Sequence, residues 1–146
     1  MQCTPIKSPR IKKYDDLLEI LKKLIKKPHD GDILVIASKV VALSQGRVIN
    51  LSDIEADRSF RAKKSRYGIG REDPRFVELV KREADAVMPG SMLLAMKDGV
   101  LTPAAGIDLS NTENGSAILW PIKAEKEAQL IRSFFMKKFR LRKFGV

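Results

Sequence analysis

Two short segments carry the side chains best suited to chemistry. The first is Ser38-Lys39, directly after the apolar run Ile33-Leu34-Val35-Ile36-Ala37. A hydroxyl, backbone N–H groups and a lysine at a strand-to-helix turn suit phosphate oxygens. The second is Gly106-Ile107-Asp108-Leu109-Ser110-Asn111. Asp108 offers a hard oxygen to Mg²⁺ or Mn²⁺, with phosphate and water completing the shell. Asn111 has a donor and an acceptor for a nucleotide edge or ribose. A structural reading stands beside this one, with Ser38 as a helix cap and Asp108 with Asn111 as a polar turn. Pattern alone favours the structural reading.

Composition narrows the alternatives. The chain has 146 residues, one ordinary domain's worth, and 28 Lys and Arg against 18 Asp and Glu give a formal net charge of +10. One histidine, His29, in a turn between Pro28 and Asp30, excludes a multi-His metal site and makes a Ser-His-Asp triad a poor default. One cysteine, Cys3, excludes an internal disulfide framework and a Cys-rich zinc site. Carboxylates, hydroxyls, amides and cations remain, so the expected ligands are anions. No signal-peptide core or membrane-length apolar run is present, and the expected location is the cytoplasm.

Other segments offer less. Gly68-Ile69-Gly70 lacks the third glycine and the preceding strand of a phosphate loop, so it reads as a turn. Arg58, Arg61, Lys63, Lys64, Arg66 and Arg71 form one basic group, and Lys137, Lys138, Arg140, Arg142 and Lys143 a second. Either can face nucleic-acid phosphates, but no recognised nucleic-acid motif accompanies them and charge runs are usually solvated faces.

The elements that must position these residues follow from periodicity. Tyr14, Leu17, Leu18, Leu21, Leu24 and Ile25 predict a helix from about Tyr14 to Lys27, ended by Pro28 and Gly31. Ile33 to Ala37 predicts a strand buried on both faces. A short helix capped by Ser38 would follow, broken at Gly46, with a brief extension at Val48-Ile49. Asp53 to Lys64 reads as a polar, basic helix and Ser65 to Asp73 as a loop. Asp73 and Pro74 predict a helix start, with an apolar face reaching Val87. Met92 to Met96 and Val100 to Ala104 form a hairpin about Asp98-Gly99. Ile118-Leu119-Trp120 predicts another strand, and Ala124 to Phe139 the final helix. The expected class is α/β, a mixed sheet with flanking helices, as a single domain over residues 1–146.

Several blocks together resemble one family. Asp30 to Val41 with Gly46-Arg47, then Asp73 to Val80 with Glu83, then Ala105 to Asn111 and Leu119-Trp120-Pro121 with the last helix are similar to the coenzyme F420-0:gamma-glutamyl ligases, in order and nearly in spacing. The resemblance implies the N-terminal part of that ligase fold, in an intertwined α/β dimer. It implies GTP and a divalent cation, Mn²⁺ or Mg²⁺, and the addition of L-glutamate to a phosphodiester-linked deazaflavin precursor through an acyl phosphate. By the same resemblance Ser38 and Lys39 are the phosphate-contact pair, Asp108 a metal carboxylate and Asn111 a guanine-nucleotide contact. Lys7-Ser8-Pro9-Arg10 aligns with a further nucleotide-contacting loop.

Two departures matter. Leu43 stands where the family commonly has a lysine. In the family, a strand resembling Gly145-Val146 leads into an Asp-Thr segment with further metal ligands, and roughly another hundred residues follow, a further domain's worth. The expectation is therefore the front part of a GTP-dependent ligase, partnered as a homodimer or by a complementary C-terminal half, with no catalysis expected of it alone. A stand-alone nucleotide- or cofactor-binding module and a basic nucleic-acid-associated protein are the alternatives.

Overall fold

The computed structural model describes residues 2–56, 73–88, 93–110 and 115–146. The Gly68-Ile69-Gly70 turn, the first basic group and Asn111 lie outside the described residues. The chain divides into two compact units, one from residues 1–46 and 121–146, the other from residues 47–120. The architecture is mixed α and β, as the periodicity predicts.

The first unit holds α1 (Leu17–Leu24), α2 (Ser38–Ser44) and α4 (Ala124–Phe139). Helix α1 is shorter than predicted. Asp16 caps it by accepting the Glu19 N–H, and Ile25 is already extended ahead of Pro28. Leu17 and Leu21 turn inward onto Val41, Ile131, Phe135 and Phe144, which form this unit's core. Phe135 stacks between Phe139 and Phe144 at 5.7 and 5.5 Å between ring centroids. Lys22 of α1 reaches over the Phe134 ring, 4.6 Å from its centre.

Asp30 ties the C-terminal segment into this unit. Its carboxylate accepts the N–H groups of Arg142 (2.6 Å) and Lys143 (3.1 Å) and pairs with the Arg142 guanidinium at 3.3 Å. The Lys143 N–H bond first, then that of Arg142, holds the Asp30 carboxyl below the usual aspartate value.

The run 33–37 departs from expectation. It makes one parallel bridge, Ile33 to Gly145, with no longer ladder. Leu34 and Ile36 pack against the core, but Ile33 is 69 % and Val35 87 % exposed. The apolar run predicted burial on both faces; only one face is covered.

The second unit holds β1 (Val48–Asn50), α3 (Pro74–Glu83), β2 (Ala86–Val87), β3 (Leu94–Lys97), β4 (Val100–Pro103) and β5 (Ser116–Ile118). The residues after Asn50 form a single 3-10 turn, Leu51–Asp53, so the polar helix predicted from Asp53 does not begin there. Asp73 caps α3 through the Arg75 N–H and Pro74 occupies its first turn, as read from sequence. The helix ends at Glu83, four residues early, because Ala86 and Val87 are taken by pairing with Met96 and Ala95. The β3–β4 hairpin turns on Asp98 (φ 49°) and Gly99 (φ 75°), both left-handed, as a two-residue hairpin turn of the I′ kind requires. Strand β5 pairs antiparallel with β1, Val48 opposite Ile118. Phe76, Leu79 and Val80 of α3 pack with Ala95, Ala104, Ala105, Ile107, Ala117 and Leu119 into this unit's core.

Candidate functional site

Ser38 and Lys39 sit at the start of α2 in the first unit. Ala37, not Ser38, holds the cap position, and its side chain makes no capping bond. Ser38 is the first helical residue, so the sequence-based cap assignment is one residue late. Its side chain is exposed and lines an apolar hollow of about 240 Å³ with Ile33, Val41, Ala128 and Val146. Leu43, where the family commonly has lysine, is half-buried in the same helix. Lys7, Ser8, Pro9 and Arg10 belong to an exposed N-terminal segment. Ser8 lines a larger groove of about 860 Å³ between that segment, α1 and residues 31–37.

Asp108 belongs to the second unit. Its backbone exchanges both hydrogen bonds with Ile118, at 2.8 and 2.9 Å, in an antiparallel bridge beside β5. Its carboxylate accepts the Ser110 N–H at 2.6 Å, closing a tight Asx turn. Of the polar turn read from Asp108 and Asn111, the structure describes the Asp108 side, with Asn111 outside the described residues. The Ser110 N–H bond also orients the carboxylate, which is what a metal ligand requires of its surroundings.

The segment before Asp108 has unusual backbone. Ala104, Ala105 and Gly106 have φ of 51°, 53° and 71°, three consecutive left-handed residues. For alanine that region costs on the order of 1–2 kcal/mol per residue. Strain of this kind persists where surrounding structure fixes it, often next to functional residues. Here Ala104 and Ala105 are buried in the core, the Ala104 N–H bonds to the Leu93 carbonyl, and the Ile107 N–H closes the turn on Ala104. The Trp120 ring then covers Gly106 so closely that a Cβ there would overlap it.

Pattern reading did not connect three further residues to this framework. Arg47 pairs with the Glu83 carboxylate, and its Nε donates to the Trp120 carbonyl at 3.1 Å. The Leu119 N–H returns a bond to the Arg47 carbonyl at 3.0 Å. Arg47 and Glu83 are 22 % and 16 % exposed, buried enough for the pair to shape the fold. Among the described residues the buried Trp120 indole N–H has no hydrogen-bond partner. Arg47, Glu83, Gly106 and Trp120 all come from the blocks that carry the family resemblance. That was the available signal, but nothing in local spacing joins residues this far apart.

Metal chemistry has limited protein support here. Among the described residues no three His, Cys, Asp or Glu side chains cluster as a metal site. A single oriented carboxylate suits Mg²⁺ or Mn²⁺ held largely by a nucleotide's phosphates and water, not an all-protein cage.

Charge is divided sharply. The first unit contains 17 Lys and Arg against 7 Asp and Glu; the second contains 11 against 11. The whole excess of +10 therefore lies in the unit that carries Ser38, Lys39 and the Lys7–Arg10 segment. Among the described residues no helix is long and apolar enough to cross a membrane.

These features define a two-unit α/β protein with one strongly cationic unit and an Asp-bearing turn held on strained backbone. Comparison with known proteins gives the class a name. The family model for F420-0:gamma-glutamyl ligase matches residues 5–143, and the chain belongs to that family. It is 36% identical over 126 residues to the coenzyme F420:L-glutamate ligase of Archaeoglobus fulgidus, covering 85% of this chain and 49% of the relative. The Methanopyrus kandleri ligase is 30% identical over 126 residues, covering 84% of this chain and 48% of the relative. That of Halorubrum lacusprofundi is 35% identical over 129 residues, covering 85% and 51%. The chain thus spans about half the length of the curated relatives it matches.

Proposed function

We propose that this chain is the nucleotide-facing part of a GTP-dependent ligase that joins L-glutamate to a deazaflavin F420 precursor. In this reading the precursor's carboxylate accepts the terminal phosphoryl group of GTP. The glutamate amine then displaces phosphate to form the amide, leaving GDP. Ser38, Lys39 and the Lys7–Arg10 segment face the nucleotide phosphates, and Asn111 contacts the guanine nucleotide. Asp108 contributes one ligand to a nucleotide-borne Mg²⁺ or Mn²⁺. The cation would offset charge on the transferring phosphoryl group.

The observation that carries the proposal is the conjunction of the family match with an Asp108 carboxylate oriented by the Ser110 N–H at 2.6 Å. The concentration of positive charge in the first unit supports an anionic ligand there.

Calorimetric titration of the chain with GTP in the presence of Mn²⁺ tests the reading. Binding that weakens in Asp108→Ala and Asn111→Ala supports it. Absence of binding at millimolar GTP overturns it. Tight RNA binding with a steep salt slope, without GTP binding, would move the assignment to nucleic acid. Supplying the remaining half of a relative should restore glutamate addition.

A further inference from the structure

The extended segment at Ile33 and Val35 has one paired edge and one open edge. Asp32 and Leu34 turn their backbone groups toward Gly145: the Gly145 N–H donates to the Asp32 carbonyl and the Leu34 N–H to the Gly145 carbonyl, both at 2.9 Å. Successive residues of an extended chain present their backbone groups to opposite sides. The N–H and C=O of Ile33 and Val35 therefore face the other edge, and they make no hydrogen bond among the described residues. The same two residues expose their side chains, 69 % and 87 %, while Leu34 and Ile36 lie against the core. One edge and one face of this strand are finished; the other edge and face are bare and apolar.

Such an edge is a template for strand addition. Ile33 and Val35 also line the groove of about 860 Å³ that separates residues 31–37 from the N-terminal segment. The relatives have about as much chain again as the part matched here, 49% of the Archaeoglobus fulgidus ligase being covered. We infer that Ile33–Val35 is the docking edge for a strand from the half of the ligase that this chain does not span. The added strand pairs with the Ile33 and Val35 backbone and covers their side chains. The inference rests on the family assignment and not on GTP binding, so it can fail or hold independently of the proposed reaction.

The test is complementation by two polypeptides. The 146-residue chain is mixed with the second half of the Archaeoglobus fulgidus relative, expressed separately, and the mixture is resolved by size-exclusion chromatography with light scattering. A one-to-one complex is expected, with amide exchange at Ile33 and Val35 slowed at least about tenfold on mixing. Val35→Lys, at a site 87 % exposed, should fold normally and weaken the complex by on the order of tenfold. Val35→Pro, which removes the open N–H, should do the same. A complex that forms with Ile33 and Val35 still exchanging freely overturns the inference, as does one indifferent to both substitutions. A homodimer that protects the same amides, with no affinity for the second half, also overturns it and assigns the edge to a second copy. If no complex forms and the amides stay unprotected, the inference is again wrong.

Discussion

The Trp120 indole lies across Gly106 with no room for even one additional carbon between them. Gly106 has φ of 71°, and it ends a left-handed turn whose other members are alanines. Gly106→Ala therefore adds two penalties, a left-handed Cβ and a steric overlap with a ring. The expected loss is about 2–4 kcal/mol in chemical denaturation. Displacement of the indole should also appear as a change in the fluorescence of this single tryptophan. A variant as stable as the parent would mean that the ring moves aside without cost.

Arg47 should matter through two groups at once. Arg47→Ala leaves the Glu83 carboxylate, 16 % exposed, without its cation and releases the Trp120 carbonyl. Removing one partner of a largely buried pair costs about 3–5 kcal/mol in a dry interior, so about 2–3 kcal/mol fits this partly wet one. Glu83→Gln should cost less, since an amide still accepts from the guanidinium. A double-mutant cycle with Arg47→Ala measures the coupling directly, and a coupling near zero would show the pair to be ornamental.

The sequence was most legible where local chemistry decides structure. Asp73-Pro74, Asp98-Gly99 and the limits of the last helix, Ala124–Phe139, emerge as read because cap, turn and amphipathic face are encoded within a few residues. The apolar run 33–37 misled because its hydrophobicity implied two covered faces, whereas only Leu34 and Ile36 meet the core. Helix α3 was read four residues too long because the strand pairing of Ala86 and Val87 depends on residues 95 and 96. At the candidate site, the turn-forming tendency of Asp108 was legible from its residue type, and its carboxylate does accept the Ser110 N–H. The Arg47–Glu83–Trp120 framework was not, since its members meet only after folding. Nor did total charge reveal that one unit holds all of the excess.

Acid should loosen two specific connections. The Arg75 side-chain bond, then its N–H, holds Asp73 below the usual aspartate value, and Asp30 is lowered by the N–H groups of Lys143 and Arg142. A depressed carboxylate binds its proton more weakly in the folded than in the unfolded chain. Its stabilisation is therefore fully present above the unfolded value, about 3.9, and is lost as pH falls through the lower folded values. Stability measured by denaturation should accordingly decline below about pH 4. Asp73→Asn keeps a capping oxygen and should flatten part of that decline. An unchanged acid limb in both Asp73→Asn and Asp30→Asn would assign the pH dependence to other carboxylates.

The charge division yields a prediction that separates steering from contact. If the nucleotide meets the cationic first unit, reversing remote exposed charges should alter its association rate and salt dependence more than its dissociation. Lys26→Glu, on the exposed segment after α1, is such a change. Lys39→Ala, beside Ser38, removes a proposed phosphate contact and should chiefly raise the dissociation rate, weakening GTP binding on the order of tenfold. Stopped-flow measurement with a fluorescent GTP analogue at two salt concentrations distinguishes the two effects. Equal behaviour of Lys26→Glu and Lys39→Ala, both slowing association alone, would demote Lys39 to one more member of a diffuse field. The nucleotide contact would then have to lie elsewhere on the chain.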